Sequence, residues 1–271
     1  MAEDCQRNCK KRNAEDLSRR RSKGEFEVKI SRSVYLVGSG EYGISHEYDC
    51  NVYAIKGQKE VVLIDTGSGV DTHEILENIR DDSLSVKDLS TVLLTHSHAD
   101  HACGSRYLFE ETQCEVFISK EEKPMLEVFD EEISGLKIAK KSGLYGPEYS
   151  YTVFDKSKVV EDVLRTSEFT FTCLPFSGHS KQSILYLVDL PEGRAIFTGD
   201  VVFARGVISL LNCRGSSLEA YRENISKLHG LGVDCMFPGH GTFCLKNGQK
   251  HLDQAIKNLD EIYVPKVQCV K

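Results

Sequence analysis

Residues Thr95-His96-Ser97-His98-Ala99-Asp100-His101 constrain this chain more than any other stretch. Three histidines and an aspartate fall directly after the apolar run Val92-Leu93-Leu94. Such a run reads as a buried strand, so the cluster lies on the loop at the strand's C-terminal end. A loop can turn neighbouring side chains towards one point, which the alternation of a strand forbids. Imidazole nitrogen with carboxylate oxygen suits zinc, and also iron or manganese. One histidine in a core is usually a satisfied core residue, but three in one polar loop beside an aspartate call for another explanation.

The same arrangement recurs downstream. Leu63-Ile64-Asp65-Thr66-Gly67 ends one apolar run with an aspartate. Pro175-Phe176-Ser177-Gly178-His179 ends another, Phe197-Thr198-Gly199-Asp200 a third, and Met236-Phe237-Pro238-Gly239-His240 a fourth. Any one of these is an ordinary turn. The series is not explained by turns alone.

Phe26–Ile30 alternates apolar and polar residues and reads as a strand, as do the short β-branched runs at Val34–Val37, Val52–Ile55 and Val61–Ile64, followed by a helix that Asp71 can cap. Further strands are expected at Thr91–Leu94, Cys114–Ser119, Glu168–Leu174, Ser183–Val188, Arg194–Thr198 and Asp234–Phe237. Helices are expected at Lys120–Asp130, from Ser216 to Gly230, and at His251–Val264. Strands that alternate with helices behind antiparallel hairpins give an α/β (α+β) fold. Residues 131–160, broken by Gly135, Gly143, Gly146 and Pro147, read as a loop or lid over a site.

Composition narrows the partners. With 271 residues, 40% of them hydrophobic, the chain can bury a sizeable core. A net charge of −7 argues against a nucleic-acid partner. No stretch is long and apolar enough to span a membrane, and the N-terminus has no apolar signal region. With ten cysteines, these features predict free thiols and a cytoplasmic protein. Residues 1–24 are charged, with Leu17 as their one large apolar side chain, and read as a disordered tail before a single domain over 25–271. Their basic triplets are interleaved with acidic residues and read as solvated charge.

His96-x-His98-x-Asp100-His101, followed in order by His179, Asp200 and His240, resembles the metallo-β-lactamase superfamily. The phrases LIDTG, TGD and PGHG look like that family too. The resemblance implies a four-layer αββα sandwich with two divalent metal ions, zinc above all, at one edge of two mixed sheets. It implies that His96, His98 and His179 hold one ion, that Asp100, His101 and His240 hold the other, and that Asp200 bridges them. Asp65 would then bond to ligands rather than to metal. Two such ions share a water whose hydroxide attacks a carbonyl or phosphorus centre, with Asp100 available to move a proton. The expected activity is hydrolysis of a small ester, thioester, lactone or phosphodiester. The alternative is a persulfide dioxygenase with one iron on His96, His179 and Asp200. A non-enzymatic scaffold would have lost ligands, and all seven positions are intact.

Departures narrow the family reading. Asp200 and the missing signal count against a β-lactamase proper, and Gly241 against a glutathione thioesterase. Phe203 stands where acyl-homoserine lactonases have Tyr. The GxGxxG stretch Gly38–Gly43 leads into another strand rather than a helix, so it reads as a hairpin loop. Residues 38–50, 131–160 and 203–215 are expected to wall the pocket, with Tyr42 and His46 as candidate contacts. Cys213 is expected near it, Cys103 as a buried apolar side chain, and His73, His229 and His251 away from any metal.

Overall fold

The computed structural model describes residues 28–261 and Val267. The proposed tail and Phe26, the start of the first expected strand, lie outside the described residues. Six strands form one sheet in chain order: β1 (Val34–Gly38), β2 (Val52–Lys56), β3 (Val61–Ile64), β4 (Leu89–Leu93), β5 (Glu115–Ile118) and β6 (Lys158–Val159). The first three pair antiparallel and the rest join in parallel. The second sheet holds β7 (Val163–Arg165), β8 (Thr170–Phe176), β9 (Ser183–Leu190), β10 (Gly193–Gly199) and β11 (Cys235–Pro238). Its pairs are antiparallel except β10 with β11.

Parallel neighbours need crossover connections, and helices supply them. Helix α1 (Thr72–Asp81) links β3 to β4, and α2 (Ala99–Ala102) with α3 (Ser105–Thr112) links β4 to β5. Helices α4 (Lys123–Glu127) and α5 (Leu136–Lys141) lie between β5 and β6, α6 (Leu218–Asn224) between β10 and β11, and α7 (Gly248–Asp260) follows β11. Asp71 caps α1 as expected, accepting from Glu74 N, and Ile75, Leu76 and Ile79 are its buried face. Helices α1 and α3 pack on the first sheet and α7 on the second, so the order of layers is helix, sheet, sheet, helix.

The two sheets meet face to face through large side chains. The Tyr53 ring on β2 lies 5.6 Å from that of Phe197 on β10 and 5.4 Å from that of Phe237 on β11. Each ring is almost fully buried, contributing roughly 1.5–3 kcal/mol of hydrophobic stabilisation. Tyr53 donates to Pro238 O at 2.8 Å and Tyr186 to Leu94 O at 2.7 Å, so the layers are also tied by hydrogen bonds near the strand ends.

Three expectations shift. The helix expected over Lys120–Asp130 is confined to Lys123–Glu127, with Pro124 in its first turn, where a missing N–H is no loss. The helix expected from Ser216 is capped by Ser217, which accepts from Ala220 N, and gives way at Ile225 to a 3₁₀ turn. The last helix starts three residues early, at Gly248, and ends at Asp260. Among the described residues no helix is long and apolar enough to cross a membrane.

Candidate metal centre

Every residue of the series sits where a strand runs out. Asp65 follows β3, His96 to His101 follow β4, His179 follows β8, Asp200 follows β10 and His240 follows β11. The sheets are stacked so that these five strand ends share one edge.

The side chains form two adjoining groups. In the first, His96 Nε2 is 2.9 Å from His98 Nδ1, His179 Nε2 is 3.2 Å from His96 Nε2, and His179 Nε2 is 3.0 Å from His98 Nδ1. Three mutually close nitrogens cannot all form donor–acceptor pairs, because two of any three must share a role. A cation at the centre removes that conflict. Burial pushes the pKa of all three imidazoles down, that of His179 to about 4, so they stand neutral, the form that can bind a metal ion. His179 Nδ1 lies 3.1 Å from Ser209 O, so it carries the proton and Nε2 offers its lone pair to the group.

The second group is Asp100, His101 and His240. His240 Nε2 is 3.0 Å from Asp100 Oδ2, and His101 Nε2 is 3.7 Å from the same oxygen. Burial opposes ionisation of Asp100, but His101 and His240 outweigh it and hold the carboxyl down at about 2. Asp200 is held still lower against the same opposition. It lies between the groups, with Oδ1 3.3 Å from His101 Nε2 and Oδ2 3.7 Å from His179 Nε2 and 3.6 Å from His240 Nε2.

This donor set fits a metal. His101 Nε2 and Asp200 Oδ1 are buried and face each other without a hydrogen-bond partner. Polar atoms left so cost roughly 1–3 kcal/mol each, which a shared cation relieves. The backbone also makes room for them. A Cβ on Gly239 would lie 2.6 Å from His101 Cε1 and closer still to Asp200 Oδ1.

Hydrogen bonds from a second layer orient these side chains. Asp65 accepts from Thr95 N at 2.7 Å and faces His101 Nδ1. Thr95 Oγ1 reaches His96 Nδ1 at 3.0 Å. Glu122 accepts from Ser97 N and Ser97 Oγ, between two of the histidines, and from Gln182 N, just before β9 of the other sheet. Burial opposes its ionisation, but these donors hold its pKa below the usual carboxylate range.

A cavity of about 230 Å³ opens on the centre. His98, Asp100 and Asp200 form its floor; Leu136, Ile138, Leu144 and Tyr145 form one wall, and Leu211 and Cys213 another. Segments 131–160 and 203–215 therefore wall it as expected, and Cys213 is where it was expected. Segment 38–50 does not line it, because its hairpin loop turns back on itself. Ile44 N and Ser45 N bond to Ser39 O, and His46 packs on Tyr48 with ring centroids 4.9 Å apart. Cys103 is buried beneath Tyr145 and Tyr149. His73, His229 and His251 stand apart from the centre, His73 near Glu77 and His251 accepting from Arg205 N.

The family model described as the metallo-beta-lactamase superfamily matches residues 47–240, most of the chain, including all six residues of the two groups and Asp200 between them. The chain belongs to that superfamily. It is 30% identical over 235 residues to an atrochrysone carboxyl ACP thioesterase of Aspergillus fumigatus, across 86% of this chain and 62% of that one. The chain thus spans under two thirds of that relative. It is 25% identical over 200 residues to a probable metallo-hydrolase of Methanocaldococcus jannaschii, across 72% of this chain and 88% of that one. Among solved structures, a subclass B3 metallo-beta-lactamase of Bradyrhizobium japonicum superposes with a TM-score of 0.66. It is 20% identical and covers 86% of this superfamily member and 90% of its own chain, a likeness of fold.

Sequence reasoning missed Glu122 as a neighbour of the centre, and reached Tyr145, Ser209 and Cys50 only through the segments that hold them. Cys50 is fully buried within reach of Asp65 and His101. Their sequence signals are ordinary, and only the packing of distant segments brings them in.

Proposed function

We propose that this protein is a hydrolase with two metal ions that cleaves a thioester or ester of an apolar acyl group. The observation that carries this reading is Asp200 set between two complete three-residue groups at the floor of the cavity. In this reading His96, His98 and His179 hold one ion, Asp100, His101 and His240 the other, and Asp200 both. Two divalent ions, zinc first, would polarise the carbonyl and activate water there. Ser209 and Asp65 hold the Nδ1 atoms of His179 and His101, leaving their Nε2 lone pairs free to bind the ions. Asp100, which also lines the cavity, would accept the proton released by water and return it to the leaving group. Leu136, Ile138, Leu144 and Leu211 exclude water around the acyl chain. The names of the relatives, thioesterase and metallo-hydrolase, support hydrolysis over oxidation. The seven cysteines free among the described residues suit a cytoplasmic location.

The test is metal quantification on protein purified without added metal, followed by an ester, thioester, lactone and phosphodiester panel. About two metals per chain, with turnover of apolar thioesters or esters, is the expected result. One iron per chain, with oxygen uptake on a persulfide, overturns it in favour of the dioxygenase.

A further inference from the structure

Tyr145 lines the cavity together with Asp100. Its ring is clamped on two sides. It stacks on Tyr149 with centroids 4.6 Å apart and meets Tyr48 edge-on at 5.0 Å. Both neighbours are themselves anchored: Tyr149 donates to Ser68 O at 2.7 Å, and Tyr48 Oη accepts from Gly146 N, the residue after Tyr145. The phenol is therefore held in the cavity wall, next to the floor that Asp100 helps to form, and its proton can turn about the C–O bond into the cavity without any movement of the ring. A donor fixed in advance where charge develops is the arrangement that stabilises an acyl-transfer transition state.

We infer that Tyr145 is a catalytic residue, whose hydroxyl donates a hydrogen bond to the substrate's carbonyl oxygen as that oxygen gains charge. This rests on the hydrolytic reading above. The competing role is a structural one, in which the ring only packs the cavity wall against Tyr48 and Tyr149.

Tyr145→Phe keeps the ring and removes the donor. In the zinc-reconstituted full-length protein, zinc content and melting temperature should stay as in the wild type. kcat for an octanoyl thioester should fall about 100-fold, with KM changed less than about threefold. A readout independent of turnover is the calorimetric affinity for octylphosphonate, a tetrahedral anion. It should weaken about tenfold or more, while that for octanol holds. Loss of zinc on substitution, or unchanged kcat with unchanged phosphonate affinity, overturns the inference. So does a wild type that binds no phosphonate. A wild type inactive on every ester and thioester defeats the hydrolytic reading alone, since the phosphonate comparison still decides Tyr145. If Tyr145→Phe fails to fold, Tyr145→His offers a ring donor in its place. Wild-type-like phosphonate affinity in that variant supports the inference, and absence of binding in a folded, zinc-replete form overturns it.

Discussion

The Asp65 carboxylate lies 2.8 Å from His101 Nδ1, and both side chains are almost completely buried. Asp65 adopts a left-handed backbone (φ 64°), a conformation that non-glycine side chains rarely accept. That turn lets one carboxylate serve both His101 and the Thr95 backbone at the start of the histidine loop. Asp65→Asn keeps the shape but sets an amide against a donor. Metal affinity at the group containing His101 should fall about 10–100-fold, read by chelator competition. Wild-type affinity in that variant would remove Asp65 from the ligand-orienting set.

Asp200 is the one side chain placed between both groups. Asp200→Ala should lower metal content and reduce turnover to background. Two metals per chain with normal activity would refute the bridging assignment. Gly239→Ala tests the same geometry from the backbone, because its new methyl group presses on Asp200 and His101 together. It should lose metal with no ligand replaced, as measured by metal quantification.

Cavity size should set acyl preference. Leu211→Trp fills part of the wall away from the metal groups. It should raise KM for octanoyl esters or thioesters several-fold and leave acetyl substrates and metal content unchanged. Equal effects on both chain lengths would place the acyl group elsewhere.

Glu60 offers a test of stability apart from the centre. Burial opposes its ionisation, but hydrogen bonds from Ser90, Thr166 and Glu168 N hold its pKa below the usual value of 4.5. Because the folded pKa is depressed, its stabilisation is full above the unfolded pKa and is lost as pH falls through the folded one. Glu60→Gln should cost about 1–3 kcal/mol at neutral pH. The gap to wild type should close as acid takes the pH below the ordinary carboxylate range. Urea melts at neutral and acid pH measure both effects, and a gap that does not change with pH would contradict the assignment.

The sequence carried the centre because its ligands come in short phrases, each fixed by an apolar strand before it. His96 to His101 need no tertiary structure to be seen together. Tyr145 does: its significance comes from Tyr48 and Tyr149, which hold its ring, and from Asp100 far earlier in the chain. Strands β6 and β7 escaped notice because two and three residues are too few to show an alternation. In the sequence Glu122 is one charge among several in Lys120–Asp130, yet it is buried and joins the histidine loop to Gln182.

Neither sheet owns a complete group. The first triad draws two histidines from the loop after β4 and one from the end of β8, and the second combines that same loop with the end of β11. A cation held there is therefore a clasp between halves that hydrophobic contact alone would hold less firmly. Metal occupancy and sheet docking then become a single linked equilibrium. Each tenfold rise in free metal above Kd would add about 1.4 kcal/mol to the stability of the closed sandwich for each ion bound. The metal supply that governs turnover would also govern how long the fold survives.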